Sequence, residues 1–552
     1  MQADSRKIIS ENIVADRSKL KIICVFLHRI YFGRIPYERQ YRGKKRKAMN
    51  ITELQQSYAS HPNVEGVCRL LKDNSVRHLY CGGLYASAAS LFSSVLVQRA
   101  TCPLVFILGD MEEAGYFYHD LTQILGTEQV LFFPSSFRRA IKYGQKDAAN
   151  EILRTEVLSR LQKGEEGLCV VTYPDALAEK VVSRKELGDN TLKLHAGERV
   201  DMNFVTDVLR SYGFEYVDYV YEPGQYAVRG SIIDVFSFSS EYPFRIDFFG
   251  DEVESVRTFE VETQLSKEKK ESIVIVPDLS HSLEKKGSGG MVSFLDFLPS
   301  DSLLAMRDFL WLRERIQTVH DESLTPQAIA ARESEENGAI TLEGKLIDGG
   351  EFTLRALDFR RMEFGNKPTG TPDATVSFHT TVQPIFHKNF DMVAESFREY
   401  LSRHYTIYIC SDSLKQTDRI RAIFEDRGDN ISFTAVERTL HEGFADDTLR
   451  ICVFTDHQLF DRFHKYQLRS DKARSGKLAL SLKELRQFEV GDYIVHIDHG
   501  VGKFGGLFRT ELNGSMQEVI KLIYQNDDIL FVSIHALHKL AKYRAKEGEP
   551  PR

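Results

Sequence analysis

The stretch Tyr221–Thr263, YEPGQYAVRGSIIDVFSFSSEYPFRIDFFGDEVESVRTFEVET, constrains the fold more than any other part of the chain. It holds four short runs rich in β-branched and aromatic residues, each closed by turn residues. Gln225–Arg229 leads into Gly230, Ser231–Phe236 into a Ser/Glu/Pro turn, Pro243–Phe249 into Gly250-Asp251, and Glu252–Phe259 follows. Such runs predict an antiparallel meander. Strand side chains alternate between faces, so Phe244, Ile246 and Phe248 share one face and Arg245, Asp247 and Phe249 the other. Three apolar residues in step define the core side. That leaves Phe249 on the polar face beside Arg245, with Arg229 closing an earlier strand. Arginine and large aromatics are the side chains that anchor interfaces. Single exposed aromatics are also common on ordinary sheets, so the pattern alone fits either reading.

Around this stretch the chain reads as several α/β units. Its 552 residues, 42% hydrophobic and 27% charged, suit a globular chain of about three to five domains at about 100–200 residues each. Val76–Cys81, Leu104–Leu108, Val130–Phe133 and Leu168–Thr172 predict strands, with Ala86–Ala100 and Glu112–Leu125 as helices between them. Strands alternating with helices imply a parallel sheet. Ile273–Val276 and Ser302–Met306 read as further strands of that domain, and Arg307–Thr318 as its helix. A smaller α/β unit follows from Thr380 to about Phe463. His464–Ser481, rich in Lys, Arg and Ser, predicts a mobile linker.

The turn after Val76–Cys81 sits where a nucleotide-binding loop would lie. Such a loop needs glycines for close phosphate approach, a Lys, and a Ser or Thr for magnesium. Gly82, Gly83 and Ser87 remain, but Ala88-Ala89 stands where the Lys-Ser/Thr pair belongs. No GxxxxGK[ST] occurs anywhere in the chain. A degenerate loop that binds no cofactor is expected. Asp456, after the strand Arg450–Phe454, is expected to be a turn or cap residue rather than a magnesium ligand.

Near the end, FEVGDYIVHIDHGVGKFGGL predicts a strand around Tyr493–Ile497, with Gly500, Gly502, Gly505 and Gly506 supplying tight bends of a small barrel. Val519–Tyr524 and Ile529–Ser533 predict a hairpin, and Ala536–Tyr543 a closing helix. His496, Asp498 and His499 do not have zinc-ligand spacing. The seven cysteines include no CxxC pair, and no metal site is expected. A net charge of −7 argues against a general nucleic-acid coat. No apolar run reaches the length of a membrane span, and a cytoplasmic location is expected. Met1–Lys47 is a basic extension of little expected structure.

The run EPGQYAVRGSIIDVF…PFRIDFFGDEVESVRTF resembles the module that bacterial transcription-repair coupling factors (Mfd) share with the repair helicase UvrB. HIDHGVGKF resembles their RNA-polymerase-interacting domain, shared with CarD-like regulators. The resemblance implies an α/β multidomain chain. It would comprise a degenerate P-loop-like parallel-sheet domain in two parts (49–190 and 264–378) with an inserted α+β UvrA-binding module (191–263). A small α/β domain (379–463), a linker (464–484) and an SH3/Tudor-like barrel (485–545) would follow, after an extension over 1–48.

It further implies two partners. Arg229, Arg245 and Phe249 would contact the ATPase UvrA. Phe504, Leu507, Phe508, Arg509 and Leu512 would contact the RNA polymerase β subunit, by adding a strand at a sheet edge. The family's DNA translocase motor normally follows these domains, so the chain is expected to be a non-enzymatic adaptor portion that meets DNA mainly through a motor it lacks. A UvrB-like damaged-DNA helicase relative and a stand-alone CarD-type regulator remain as alternatives.

Overall fold

The structure is a computed structural model, describing residues 48–136, 148–261, 263–279, 290–323, 344–462, 464, 466, 468, 488–496, 499–512, 515–524, 528–533 and 540–542. The basic extension Met1–Lys47 lies outside those residues, as does the linker beyond Leu468.

In chain order, β1 (Met49–Asn50), α1 (Ile51–Ala59) and α2 (Pro62–Leu70) lead into β2 (His78–Gly82), α3 (Ser87–Arg99), β3 (Leu104–Ile107), α4 (Met111–Leu125), β4 (Val130–Phe133), α5 (Ala148–Lys163) and β5 (Cys169–Thr172). After the insert come β14 (Leu303–Met306), α7 (Phe309–Ser323), β15 (Arg360–Gly365) and β16 (Ala374–Ser377). The first domain is a seven-stranded sheet in the order β16-β2-β15-β14-β3-β5-β4, parallel throughout. Each of β2 to β5 is buried along its whole length. That is why these strands read as unbroken apolar runs rather than alternating ones.

The insert contains β6 (Leu192–His195), α6 (Met202–Ser211), β7 (Glu215–Tyr216), β8 (Gln225–Arg229), β9 (Ile232–Val235), β10 (Phe244–Phe249), β11 (Glu252–Phe259), β12 (Ser266–Lys270) and β13 (Ser272–Ile275). Its sheet runs β12-β11-β10-β9-β8-β7, antiparallel except for the β7–β8 pair. The expected four-strand meander is therefore its centre. The module also extends past 263, because β12 continues the sheet. Strand β13, expected in the first domain, pairs with β6 instead. Ile273 and Ile275 close the insert's own core with Leu194, Val205 and Leu209.

The small α/β domain has β17 (Thr380–Val382), α8 (Phe390–Ser402), β18 (Thr406–Ser411), α9 (Leu414–Asp426), β19 (Thr434–Glu437), β20 (Phe444–Asp446) and β21 (Ile451–Thr455). Its sheet order is β1-β19-β18-β21-β20-β17, so the chain's first described strand forms its edge. One continuous apolar core runs from Leu54 and Phe92 of the first domain to Val436, Phe444 and Val453 here. The two domains are fused, not strung together.

The last unit holds β22 (Tyr493–His496), β23 (Gly500–Leu512), β24 (Ser515–Ile523), β25 (Ile529–Ser533) and β26 (Leu540–Lys542), in the order β25-β24-β23-β22-β26. Two expectations are corrected. The glycines from 500 to 506 do not break the chain into bends. They lie in one thirteen-residue strand that bulges between Phe504 and Leu507. The expected closing helix is not formed at residues 540–542, which pair antiparallel with β22.

Candidate functional site

Two surfaces and one filled loop bear on function. The first surface is the polar face of the inserted sheet. Phe244, Ile246 and Phe248 point into the core, while Phe249 is 79% exposed beside the Gly250-Asp251 turn. The expected alternation is what the sheet shows.

The two arginines, however, are not free. Asp234 lies directly opposite Arg245 across the β9–β10 pair, and its side chain is wholly buried. Arg245 donates to both carboxylate oxygens, Nε to Oδ1 at 2.8 Å and Nη2 to Oδ2 at 2.9 Å. Arg229 donates to the same Oδ2 from the diagonal position. The guanidinium of Arg245 also lies over the Phe259 ring at 4.5 Å and donates to the Gln264 carbonyl at 3.1 Å. The hydrogen bond to Asp234, ahead of the cost of burial, holds the Arg245 group above its ordinary range. Beyond it, Asp247 pairs with Arg257 and accepts from Ser255 Oγ. The arginines are rigidly presented, with Arg229 the more exposed of the two. They also neutralise a buried acid, which residue spacing alone did not reveal.

The second surface belongs to the C-terminal sheet. Of the five residues expected to touch polymerase, Phe504 cannot do so as a surface side chain. It is 5% exposed and packs with Ile494, Ile520, Leu522 and Val532 in that unit's core. Leu507 and Phe508, just past the bulge, are exposed. The backbones of Arg509 and Leu512 continue β23 in register with Glu518 and Ser515; their side chains lie outside the described residues. Lys521 on β24 reaches over the Phe508 ring, and its register partner on edge strand β25 is Phe531, also exposed with Ile529. The sequence reading missed Ile529 and Phe531, although their alternation with Leu530 and Val532 was there to be read.

The Gly82-Gly83 turn, expected to be a degenerate nucleotide loop, is filled by the chain itself. Phe378 N–H donates to the Gly82 carbonyl at 2.8 Å, and Thr380 Oγ1 donates to the Gly83 carbonyl at 2.7 Å. The Tyr85 amide in turn donates to Thr380 Oγ1 at 2.9 Å. Gly83 takes φ +76°, and a Cβ there would meet the Phe378 carbonyl oxygen at 2.0 Å. Ser87, at the start of α3, donates to Asp120 Oδ2 at 2.6 Å and accepts from the Glu442 amide at 3.0 Å. The His441 amide donates to Asp120 Oδ1 at 2.7 Å. Burial pushes the Asp120 carboxyl up to about 7. The adjoining cavity, about 430 Å³, is lined by Asp110, Glu112, Glu113 and Glu442 with Arg307, a balance that repels phosphate. Asp456, the expected turn residue, opens a short helix over Asp456–Leu459 and pairs with Arg462 at 2.6 Å.

These features define a class of chain: a parallel-sheet α/β domain that carries an inserted sheet and is followed by a small antiparallel unit. Residues 192–281 match the UvrB interaction domain, and residues 488–544 match the CarD-like/TRCF RID domain. Over 548 residues the chain is 23% identical to the transcription-repair-coupling factor of Bacillus subtilis (strain 168), covering 85% of this chain and 45% of that protein. The factor of Staphylococcus aureus (strain USA300) is 24% identical over 535 residues, with the same coverage. The two domain matches and these relatives bear out the resemblance to an amino-terminal portion of a transcription-repair coupling factor. The chain spans about half the length of the curated relatives it matches. Among the described residues, no helix is long and apolar enough to cross a membrane.

Proposed function

We propose that this chain works as an adaptor, gripping the RNA polymerase β subunit with its C-terminal sheet and recruiting the repair ATPase UvrA through its inserted sheet. The observation that carries this reading is the presence of a UvrB interaction domain and a CarD-like/TRCF RID domain in one chain. The chemistry of the surfaces supports it. Phe249 stands out from a rigid sheet beside ordered arginines, and buried aromatic and arginine anchors dominate interface energies. Leu507, Phe508, Ile529 and Phe531 form an exposed apolar set spread over β23 and edge strand β25. An edge strand offers unpaired backbone groups for a partner's strand, and alternate side chains supply selectivity.

In this reading the first domain is a scaffold and turns over no nucleotide. Supporting this, Thr380 bonds to the Gly83 carbonyl and the 441–442 backbone bonds to Ser87 and Asp120, so the groups that a phosphate would use are engaged within the chain. The test is a titration of purified UvrA against the chain by calorimetry, with polymerase β in a parallel cell. Binding of both supports the adaptor. Failure to bind either one refutes the half of the reading that rests on it.

A further inference from the structure

Residues 464–468 open the segment expected to be a mobile linker, yet their described members are seated on the first domain. Leu468 is 5% exposed and belongs to the main core. Tyr466 lies edge-on to Tyr116 at 5.1 Å and fills the space above Gly115 of α4, where a Cβ would come within 2.5 Å of the tyrosine ring. Tyr116 OH donates to the His464 carbonyl at 2.8 Å. His464 and Tyr466 thus meet α4, and Leu468 enters the core.

The same seat gathers four histidines from four segments. His464 lies parallel to His457 with ring centroids 4.5 Å apart, and edge-on to His119 of α4 at 5.2 Å. His441 stacks on Tyr116 at 3.6 Å. His457 Nε2 donates to the His441 carbonyl at 2.8 Å. His119 Nε2 and His464 Nε2 are buried and find no hydrogen-bond partner among the described residues. The charged groups facing this cluster are Asp412, Asp456 and Arg462 from the small domain, and Glu442 beside His441. Asp456 is already paired with Arg462, and the adjacent Asp120 is occupied by Ser87 and Ser90. Asp412 is the carboxylate left to offset charge on His119 and His464, and it already accepts from the Thr439 amide.

We propose that His464, Tyr466 and Leu468 form a releasable strap on the first domain, held by Tyr466 and Leu468 and let go when the histidine cluster takes up protons. These residues lie in sequence between the small α/β domain and the C-terminal sheet, so their release changes the reach between the two. The proposal stands apart from the identity of any partner.

The seat suits neutral imidazoles only. Burial first, and the neighbouring His464 second, push His119 down to about 4. Burial likewise lowers His464 and His457. A histidine lowered in the docked state binds its proton more readily when released. Docking is therefore complete above the ordinary imidazole value of about 6.5, and is lost as pH falls towards 4. A histidine whose proton affinity recovers fully on release weakens docking by up to about tenfold for each pH unit in that window.

The test is hydroxyl-radical footprinting of the full chain at pH 7.5 and pH 5, read at Leu468 and Tyr466, with buried Phe106 of β3 as the control for global unfolding. Wild type should show several-fold more labelling of Leu468 and Tyr466 at pH 5, with Phe106 unchanged. Gly115→Leu should place a side chain under Tyr466 and give the high labelling already at pH 7.5. His464→Phe, which keeps a ring but cannot titrate, should reduce the pH response at Leu468. Equal labelling of wild type at both pH values would overturn the proposal, as would a His464→Phe response as large as wild type. Should Gly115→Leu unfold the domain, Phe106 will report it, and the wild-type and His464→Phe comparison decides alone.

Discussion

Arg245 clamps Asp234 with two parallel hydrogen bonds, at 2.8 and 2.9 Å, across the middle of the inserted sheet. The carboxylate is fully buried and the guanidinium is 14% exposed. An arginine proposed as a docking contact is thus also the counter-charge of a buried acid, and the two roles separate on mutation.

Arg245→Ala should destabilise the insert by about 3 kcal/mol, because it leaves a buried carboxylate with Arg229 as its remaining cation. Combining it with Asp234→Asn should recover a large part of that loss. Urea unfolding of the single and double variants measures both. A single variant as stable as wild type would show that the pair contributes nothing.

Phe249→Ala should leave stability within about 0.5 kcal/mol of wild type, since the ring is mostly in solvent. It should nevertheless abolish UvrA capture. Phe249, rather than either arginine, is therefore the clean probe of the surface. Retained capture at wild-type affinity would remove this face from the account.

Gly83→Ala should cost at least about 2 kcal/mol. The backbone conformation at φ +76° is itself unfavourable for alanine by about 1–2 kcal/mol, and the new methyl meets the Phe378 carbonyl. Thermal unfolding would show a lowered midpoint. An unchanged midpoint would mean that the 378–380 segment does not fill the loop in solution.

The pH profile of stability carries two opposite signatures. His119 is lowered by burial to about 4, so the folded chain binds fewer protons than the unfolded chain between about 4 and 6.5. Its contribution is full above 6.5 and declines by up to about 1.4 kcal/mol per pH unit on acidification. Asp120 is raised by burial to about 7, so its contribution is full below about 4 and is lost as pH rises to 7. Relative to His119→Gln, wild type should lose stability from pH 6.5 downwards. Relative to Asp120→Asn, it should gain. Parallel curves for wild type and both variants would contradict these assignments.

Local pattern made the meander legible, because Phe244, Ile246 and Phe248 alternate with Arg245, Asp247 and Phe249 on one half-buried sheet. Unbroken apolar runs gave the parallel strands for the same reason in reverse. What pattern hid was long-range. Asp234 reads as a surface acid until Arg245 is set opposite it. Thr380 lies almost three hundred residues from the loop it fills. Ala536–Tyr543 has helix-forming composition, but pairing of Leu540 with His496 wins at residues 540–542. Phe504 was misplaced because the bulge after it shifts which side chains face outwards. One signal was present and unread. Gly115 lies inside α4, where glycine costs about 1 kcal/mol against alanine, and such a glycine asks for a packing partner. That partner is Tyr466.

On the C-terminal sheet, Leu507→Glu with Phe508→Glu should abolish polymerase β binding, with both side chains already exposed and the core around Ile494 and Ile520 undisturbed. Pull-down on immobilised β subunit checks this, and undiminished capture would move the contact elsewhere on the unit.

The most direct measurement is a bridging experiment: immobilised polymerase β, soluble UvrA, and the chain added between them. The account predicts that UvrA is retained only when the chain is present, that Phe249→Ala loses UvrA while staying on polymerase, and that the Leu507/Phe508 double variant loses both from the surface. Retention of UvrA by both variants, or no retention with wild type, would contradict it.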